Sequence, residues 1–171
     1  MEFILRKAEK TDLAGIMAVM ETAAKLTEPK EWFVSDDADY VKKHLTDAAS
    51  GFVLVAEVSG TVAAFFMVHF PGLSENNLGR ELSFSDEQLL RSAHMDSAAV
   101  LPGYRGHKLQ ARLCLLAEEE LKKRGYRHLL CTVHPDNRFS LENMQKNGYE
   151  IQKTMLKYGG LRRHILLKTL P

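Results

Sequence analysis

The sequence predicts a mixed α/β (α+β) fold, one central mixed sheet with helices on both faces, in the order β-α-α-β-β-β-α-β-α-β-β. Three observations carry this reading. Runs rich in β-branched and aromatic residues alternate with stretches of helical spacing. Two pairs of such runs are split by short turns, Ser59-Gly60 and Gly159-Gly160, the signature of hairpins. A strand ending at Val100 runs through a glycine-containing turn straight into a long amphipathic helix. The length of 171 residues suits one domain of roughly 150 residues with an insertion at 71–92, and 45% apolar composition fills a core of that size.

Taken in order, Phe3, Ile4 and Leu5 begin a short strand. Thr11 and Asp12 then open a helix whose Leu13, Ile16, Met17, Met20 and Ala24 share one face. A second helix follows the cap signal Ser35-Asp36-Asp37 and is expected to run to Ala49, with Tyr40, Val41, His44, Leu45 and Ala48 along it. Residues 52–58 and 61–70 form a hairpin. The insertion is too long for a simple strand connection. Within it, Ser85-Asp86-Glu87 caps a short helix, Leu82, Phe84, Leu89 and Leu90 are expected to fold over the acceptor side as a lid, and Asn76, Asn77 and Gly79 form a mobile tip. A contact between two copies of the chain, a homodimer, is the other role open to this segment.

Residues 95–100 form the fourth strand. From Leu109 onward, Leu113, Leu116, Ala117 and Leu121 repeat at helical spacing, Glu118 to Glu120 each stand four residues before Lys122 to Arg124, and Gly125 ends the helix. Residues 128–133 are a strand, Asn137 caps a helix that closes at Gly148, and residues 149–158 and 161–170 make the second hairpin, with Arg162, Arg163 and His164 at an exposed end.

Lys plus Arg number 23 and Asp plus Glu 22, a net +1, so no global field is available to hold a nucleic acid or an anionic membrane. The longest apolar run, residues 62–68, is far short of the ~20 residues of a membrane helix. Two cysteines, Cys114 and Cys131, build no disulfide framework or zinc pattern, and His44, His69 and His94 show no metal-ligand spacing within one element. The expected location is the cytoplasm, with no metal.

Chemistry concentrates at Val100-Leu101-Pro102-Gly103-Tyr104-Arg105-Gly106-His107-Lys108-Leu109-Gln110. The outward N–H groups of a helix start, with Arg105 and Lys108 beside them, suit a phosphate or pyrophosphate. Neither a Walker pattern nor a dinucleotide fingerprint is present.

The run Val-x-Pro-x-Tyr-Arg-Gly at Val100 to Gly106 resembles the signature of the GNAT superfamily of N-acetyltransferases. A second stretch is similar to that family too: His134-Pro135-Asp136-Asn137, Ser140, and the closing Lys146-Asn147-Gly148-Tyr149. The resemblance implies a sheet splayed between the fourth and fifth strands and acetyl-CoA, or another acyl-CoA, as cosubstrate. It implies that Ala98, Ala99 and Val100 pair with the pantetheine arm through their backbones. The backbone N–H groups of Arg105, Gly106, His107, Lys108, Leu109 and Gln110 would cradle the pyrophosphate, and Asn137, Ser140 and Asn143 would face the cofactor.

Two departures from the family pattern stand out. Lys108 and Gln110 occupy places where small residues are usual, and Met144 replaces the tyrosine that often protonates the leaving thiolate. A thiol with a pKa of about 8.5 leaves readily near neutrality, but an amine of pKa about 10.4 must first lose a proton. Asp96 is the first candidate base and His134 the second. The expected activity is acetyl transfer to a small-molecule or peptide amine by direct attack through a tetrahedral intermediate; a catalytically weak CoA-binding regulatory module is the alternative.

Overall fold

A computed structural model describes Met1–Pro171. The strands and helices are β1 (Ile4–Lys7), α1 (Leu13–Leu26), α2 (Ala38–Thr46), β2 (Gly51–Val58), β3 (Thr61–His69), α3 (Asp86–Leu90), β4 (Ser92–Val100), α4 (Leu109–Lys123), β5 (His128–Val133), α5 (Arg138–Lys146), β6 (Glu150–Lys157) and β7 (Leu161–Thr169). This is the predicted order, with α3 inside the insertion. The strands form a seven-stranded mixed sheet in the order β1-β2-β3-β4-β5-β7-β6. The chain divides into two compact units: Met1–His69 with Asp96–Glu119, and Phe70–Met95 with Glu120–Pro171.

In the first unit β1, β2 and β3 pair antiparallel, with a register shift at Ala56 and Glu57. Ser59 and Gly60 both have positive φ, 48° and 76°, and that left-handed pair is what a tight hairpin turn with the strands' own twist requires. The α1 face of Ile16, Val19 and Met20 packs with Val41 of α2 and with Val53, Val55, Phe65 and Met67 of the hairpin. Arg6 of β1 grips Asp12 through two nitrogens at 2.8 and 2.9 Å and Glu57 of β2 at 2.7 and 3.0 Å. This geometry ties the start of α1 to the sheet. The cap of α1 is Asp12, one residue later than expected, because Lys10–Asp12 forms a 3-10 turn first. Helix α2 stops at Thr46 rather than Ala49, and the Ser50 hydroxyl donates to the Lys43 and Asp47 carbonyls at that end.

In the second unit β4 and β5 run parallel, but the pairing covers only Ser92–His128, Ala93–Leu129 and His94–Leu130. Strand β4 continues to Val100 and β5 to Val133 beyond the last pair, the splay expected at this place in the sheet. Strands β5, β7 and β6 are antiparallel neighbours.

The insertion is a built part of this unit. Leu78, Leu82 and Phe84 pack with Leu130 of β5, Met155 of β6 and Ile165 and Leu167 of β7. Asn77, expected at a mobile tip, is 1% exposed; its amide donates to the carbonyls of Gly72 and Leu89 and its side-chain oxygen accepts from the Gly79 N–H. Apolar side chains beside a short polar turn bury where a complementary strand face is available, so these leucines cover the C-terminal sheet and Leu90 alone among the four expected lid residues stays largely exposed. Arg163 is likewise buried, its guanidinium over the Tyr158 ring, so only part of the expected exposed basic end is in solvent.

Candidate active site

In the first unit the acid and base groups gather around the C-terminal half of β4. Asp37 caps α2 by accepting from the Tyr40 N–H at 2.8 Å, and this fixes where the next helical turn presents Tyr40 and His44. The Tyr40 hydroxyl donates to Oδ2 of Asp96 at 2.9 Å. The His44 ring packs on Tyr40, centroids 4.4 Å apart, and meets the His69 ring through Nε2 to Nδ1 at 2.9 Å. Gly51 makes room for this pair: a Cβ there would collide with the Val68 carbonyl oxygen and reach the His44 ring at 3.0 Å.

Asp96 is open to solvent, yet enough protein surrounds its carboxyl that desolvation raises its pKa above the usual aspartate value, against the Tyr40 hydrogen bond and the charges of His69 and His44. Such a carboxylate is reachable and basic. Asp36, half-buried just ahead of α2, is pushed up to about 6 by desolvation and by its neighbours Asp96 and Asp37. Two carboxylates thus face one region of this unit, a setting that favours a cationic amine.

Downstream, the Leu101 N–H donates to the Ala63 carbonyl at 2.9 Å and anchors the end of β4. Ala98 and Val100 are half-buried, and Ala99 lies in the core with Phe65 and Met67. The Ser97 hydroxyl is buried with no hydrogen-bond partner. In the loop, Arg105, Gly106, His107 and Lys108 are exposed, Gln110 is half-exposed and Leu109 is buried as the anchor of α4. The Arg105 N–H is used within the turn, donating to Pro102 at 3.4 Å, so the donors free to face a ligand begin after it. Phe3 holds this loop from the N-terminus, its ring 5.0 Å from His107 and 6.0 Å from Tyr104.

Lys108 has φ of 58° and Gly106 of 89°; both sit in the left-handed region that a glycine adopts without strain. The residue that breaks the sequence pattern thus holds a backbone conformation that a glycine would adopt without strain.

In the second unit His134 is buried, and its Nδ1 accepts the Asp136 N–H at 3.1 Å. That bond makes it an organiser of the turn before α5. Asn137 caps α5 by accepting from the Ser140 N–H at 3.3 Å. Ser140 and Asn143 are half-buried on that helix, and Met144 is 5% exposed in the core, where it offers no proton.

Of the candidate residues, Asp96, Ala98 to Val100 and Arg105 to Gln110 fall in the first unit, and His134, Asn137, Ser140 and Asn143 in the second. Tyr40, His44, His69 and Asp36, which gather around Asp96, are not among the residues the sequence singles out as candidates. The one sequence signal available was Tyr40 and His44 at i and i+4, two polar aromatic groups on the face that also carries Val41.

The family model for the acetyltransferase (GNAT) family matches residues 17–149. The chain belongs to that family. As a GNAT protein it is an acetyl-CoA-dependent N-acetyltransferase. No curated protein matches it significantly. Its fold is similar to that of the ribosomal-protein-alanine N-acetyltransferase of Brucella melitensis, with a TM-score of 0.73 and 22% identity over 98% of this chain and 99% of that one. It is similar to yncA of Salmonella typhimurium, solved with its cofactor acetyl-CoA, with a TM-score of 0.75 and 19% identity over 100% and 95% of the two chains. The PaiA N-acetyltransferase of Thermoplasma acidophilum, in complex with coenzyme A, gives 0.72 and 18% over 99% and 100%. No helix of this GNAT chain is long and apolar enough to cross a membrane.

Proposed function

We propose that this enzyme acetylates a cationic amine, a small molecule or a peptide terminus, using Asp96 as the base. The observation that carries the reading is Asp96 itself: reachable from solvent, held by the Tyr40 hydroxyl, and raised in pKa by its surroundings. The carboxylate takes a proton from the incoming ammonium. The freed amine nitrogen then attacks the thioester carbon, and the tetrahedral oxyanion is stabilised by a backbone N–H near Ala99 or Val100. The C–S bond breaks without a protein acid, since Met144 is buried and has no hydroxyl, and the departing thiolate takes up the second proton shed by the acylated nitrogen, leaving the neutral amide and the thiol.

For the nucleotide end, the exposed cations Arg105 and Lys108 and the N–H groups from Gly106 to Gln110 support a pyrophosphate site at the start of α4. Ser140 and Asn143 are the second unit's candidates for hydrogen bonds to amides. Other GNAT structures solved with acetyl-CoA or coenzyme A support that cosubstrate.

The test has two arms. Acetyl-CoA should raise the melting temperature, and thiol release should appear with some member of a panel of amino acids, aliphatic diamines and peptides, and be lost in Asp96→Asn at neutral pH. Stabilisation by acetyl-CoA without thiol release from any amine would instead indicate a CoA-binding regulatory module. Unimpaired turnover by Asp96→Asn would remove Asp96 as the base.

A further inference from the structure

Strand β6 ends the sheet: it bonds β7 on one side, and no strand borders the other. Such an edge presents a row of N–H and C=O groups that invites another strand, and proteins blunt it with proline, short length, charge or a bulge. This strand is eight residues long without proline, and all but Met155 and Lys157 are exposed. Two of the exposed side chains are large and apolar, Ile151 at 39% and Leu156 at 63%.

The two faces of β6 follow from its pairing with β7. Glu150 stands opposite Leu167 and Lys153 opposite Ile165, and both partners lie in one apolar cluster with Met155 and Leu78 of the insertion. Glu150, Lys153, Met155 and Lys157 therefore share that face, in agreement with the pairs that Lys153 and Lys157 make with Glu81. Ile151 stands opposite Leu166 and Thr154 opposite His164, so these two share the other face with Leu156. A bulge at Gln152 keeps both sets aligned, since the register passes from Ile151 to Lys153 while β7 advances by one residue.

We propose that β6 pairs antiparallel with β6 of a second copy of this chain, about a two-fold axis at Thr154, so that one sheet runs through a homodimer. In that register Thr154 faces its own counterpart, Ile151 faces Leu156, and Glu150 faces Lys157, the last two pairs occurring twice by symmetry. Each pair joins side chains of matching faces. The bulge guards a lone edge but does not interrupt this pairing: each copy carries one, Gln152 and Lys153 together oppose Met155, and the two extra residues balance across the axis. An opposite-charge pair on one face and an aliphatic pair on the other both stabilise neighbouring strands. Neighbouring registers are worse. An axis at Met155 sets Lys153 against Lys157, and one at Lys153 sets that lysine against itself. The net charge of +1 leaves no general repulsion between copies.

Molar mass of the whole chain, measured by sedimentation across a dilution series, tests the proposal. The wild type should pass from twice 19.3 kDa to 19.3 kDa on dilution. Glu150→Lys sets like charges together at both ends of the pairing and should weaken the dimer by roughly tenfold or more. Opposed Cβ atoms lie about 4.5–5.5 Å apart, close to disulfide reach, so Thr154→Cys treated with diamide should become a covalent dimer. Leu156→Cys, whose two copies lie on opposite sides of the axis, should not. The native Cys114 and Cys131 are buried and stay out of the reaction. A wild type of 19.3 kDa at the highest concentration reached would overturn the proposal. A dimer that Glu150→Lys leaves equally tight and Thr154→Cys does not cross-link would overturn it too, and would place the contact elsewhere, at the insertion or the β1 edge. Equal cross-linking of both cysteine variants would overturn the register.

Discussion

The hydroxyl of Tyr40 and the carboxylate of Asp96 meet at 2.9 Å across 56 residues of sequence. The bond stabilises the ionised carboxylate, in opposition to the desolvation that raises its pKa. Tyr40→Phe removes the donor while keeping the ring on His44. A hydrogen bond to a charged group contributes about 1.5–3 kcal/mol, part of which water restores, so the Asp96 midpoint should rise. The pH profile of amine acetylation reads this as an acid limb displaced upward; an unmoved limb would show that Tyr40 only packs.

Asp36 gives a stability prediction. Its folded pKa of about 6 lies above the ordinary 3.8, so the folded protein prefers the protonated acid. That contribution is fully present below pH 3.8 and is lost as pH rises through about 6. Above this range the ionised Asp36 destabilises the fold beside Asp96 and Asp37. Asp36→Asn should therefore be more stable than wild type at pH 8 by about 1–2 kcal/mol after allowance for solvent screening, with the gap closing near pH 4. Melting curves across that interval check it. If the residue also attracts a cationic amine, the same variant raises acceptor KM and leaves acetyl-CoA affinity alone.

Much of this architecture was legible locally. The caps Asp37, Ser85 and Asn137, the repeat along α4 and the turns at Ser59-Gly60 and Gly159-Gly160 are signals carried within a few residues, and each lies where those signals put it. Asp96 stands out as a candidate in the sequence because a carboxylate lies next to a recognisable segment. The His44–His69 pair does not: its members lie 25 residues apart on a helix and a strand, and only tertiary packing, with Gly51 leaving room, brings them to hydrogen-bond distance. The packing of the insertion depends on distant residues in the same way. Asn77 reads as a turn residue in sequence, but the backbone groups it satisfies belong to Gly72, Gly79 and Leu89.

Arg105 and Lys108 are separable by experiment. Arg105→Ala should weaken acetyl-CoA binding by roughly 1–3 kcal/mol through loss of a charge-assisted contact to phosphate. Calorimetry at low and high salt measures this, and equal affinity in both proteins would remove Arg105 from the site.

Lys108→Gly should act in two directions at once. A side chain at φ of 58° is strained, so the free protein gains stability, a net of about 0.5–1 kcal/mol once the extra freedom of glycine in the unfolded chain is subtracted. The lost ammonium lowers acetyl-CoA affinity and flattens its salt dependence. A higher melting temperature with tighter binding would mean that Lys108 obstructs the phosphates.

The insertion yields the last prediction, and it sets burial against the idea of a free lid. Replacing residues 76–86 by a short Gly-Ser linker removes Leu78, Leu82 and Phe84 from Leu130, Ile165 and Leu167, and with them the Leu78 N–H that donates to Nε2 of His94 at 3.0 Å. It also removes Glu81, which pairs with Lys153 and Lys157 at 3.7 and 3.5 Å, though partly exposed pairs this long contribute little. A free lid could be cut away with only acceptor KM affected. A docked segment cannot: stripping even one large apolar side chain from a core costs about 2–5 kcal/mol, so the replacement should lower the melting temperature sharply or prevent folding. The milder Asn77→Ala isolates the organising amide. It should cost about 1–3 kcal/mol, since the carbonyls of Gly72 and Leu89 and the N–H of Gly79 lose a buried partner. If both variants melt like wild type and only acceptor KM rises, the segment is a lid and its packing on the C-terminal strands contributes nothing to the fold.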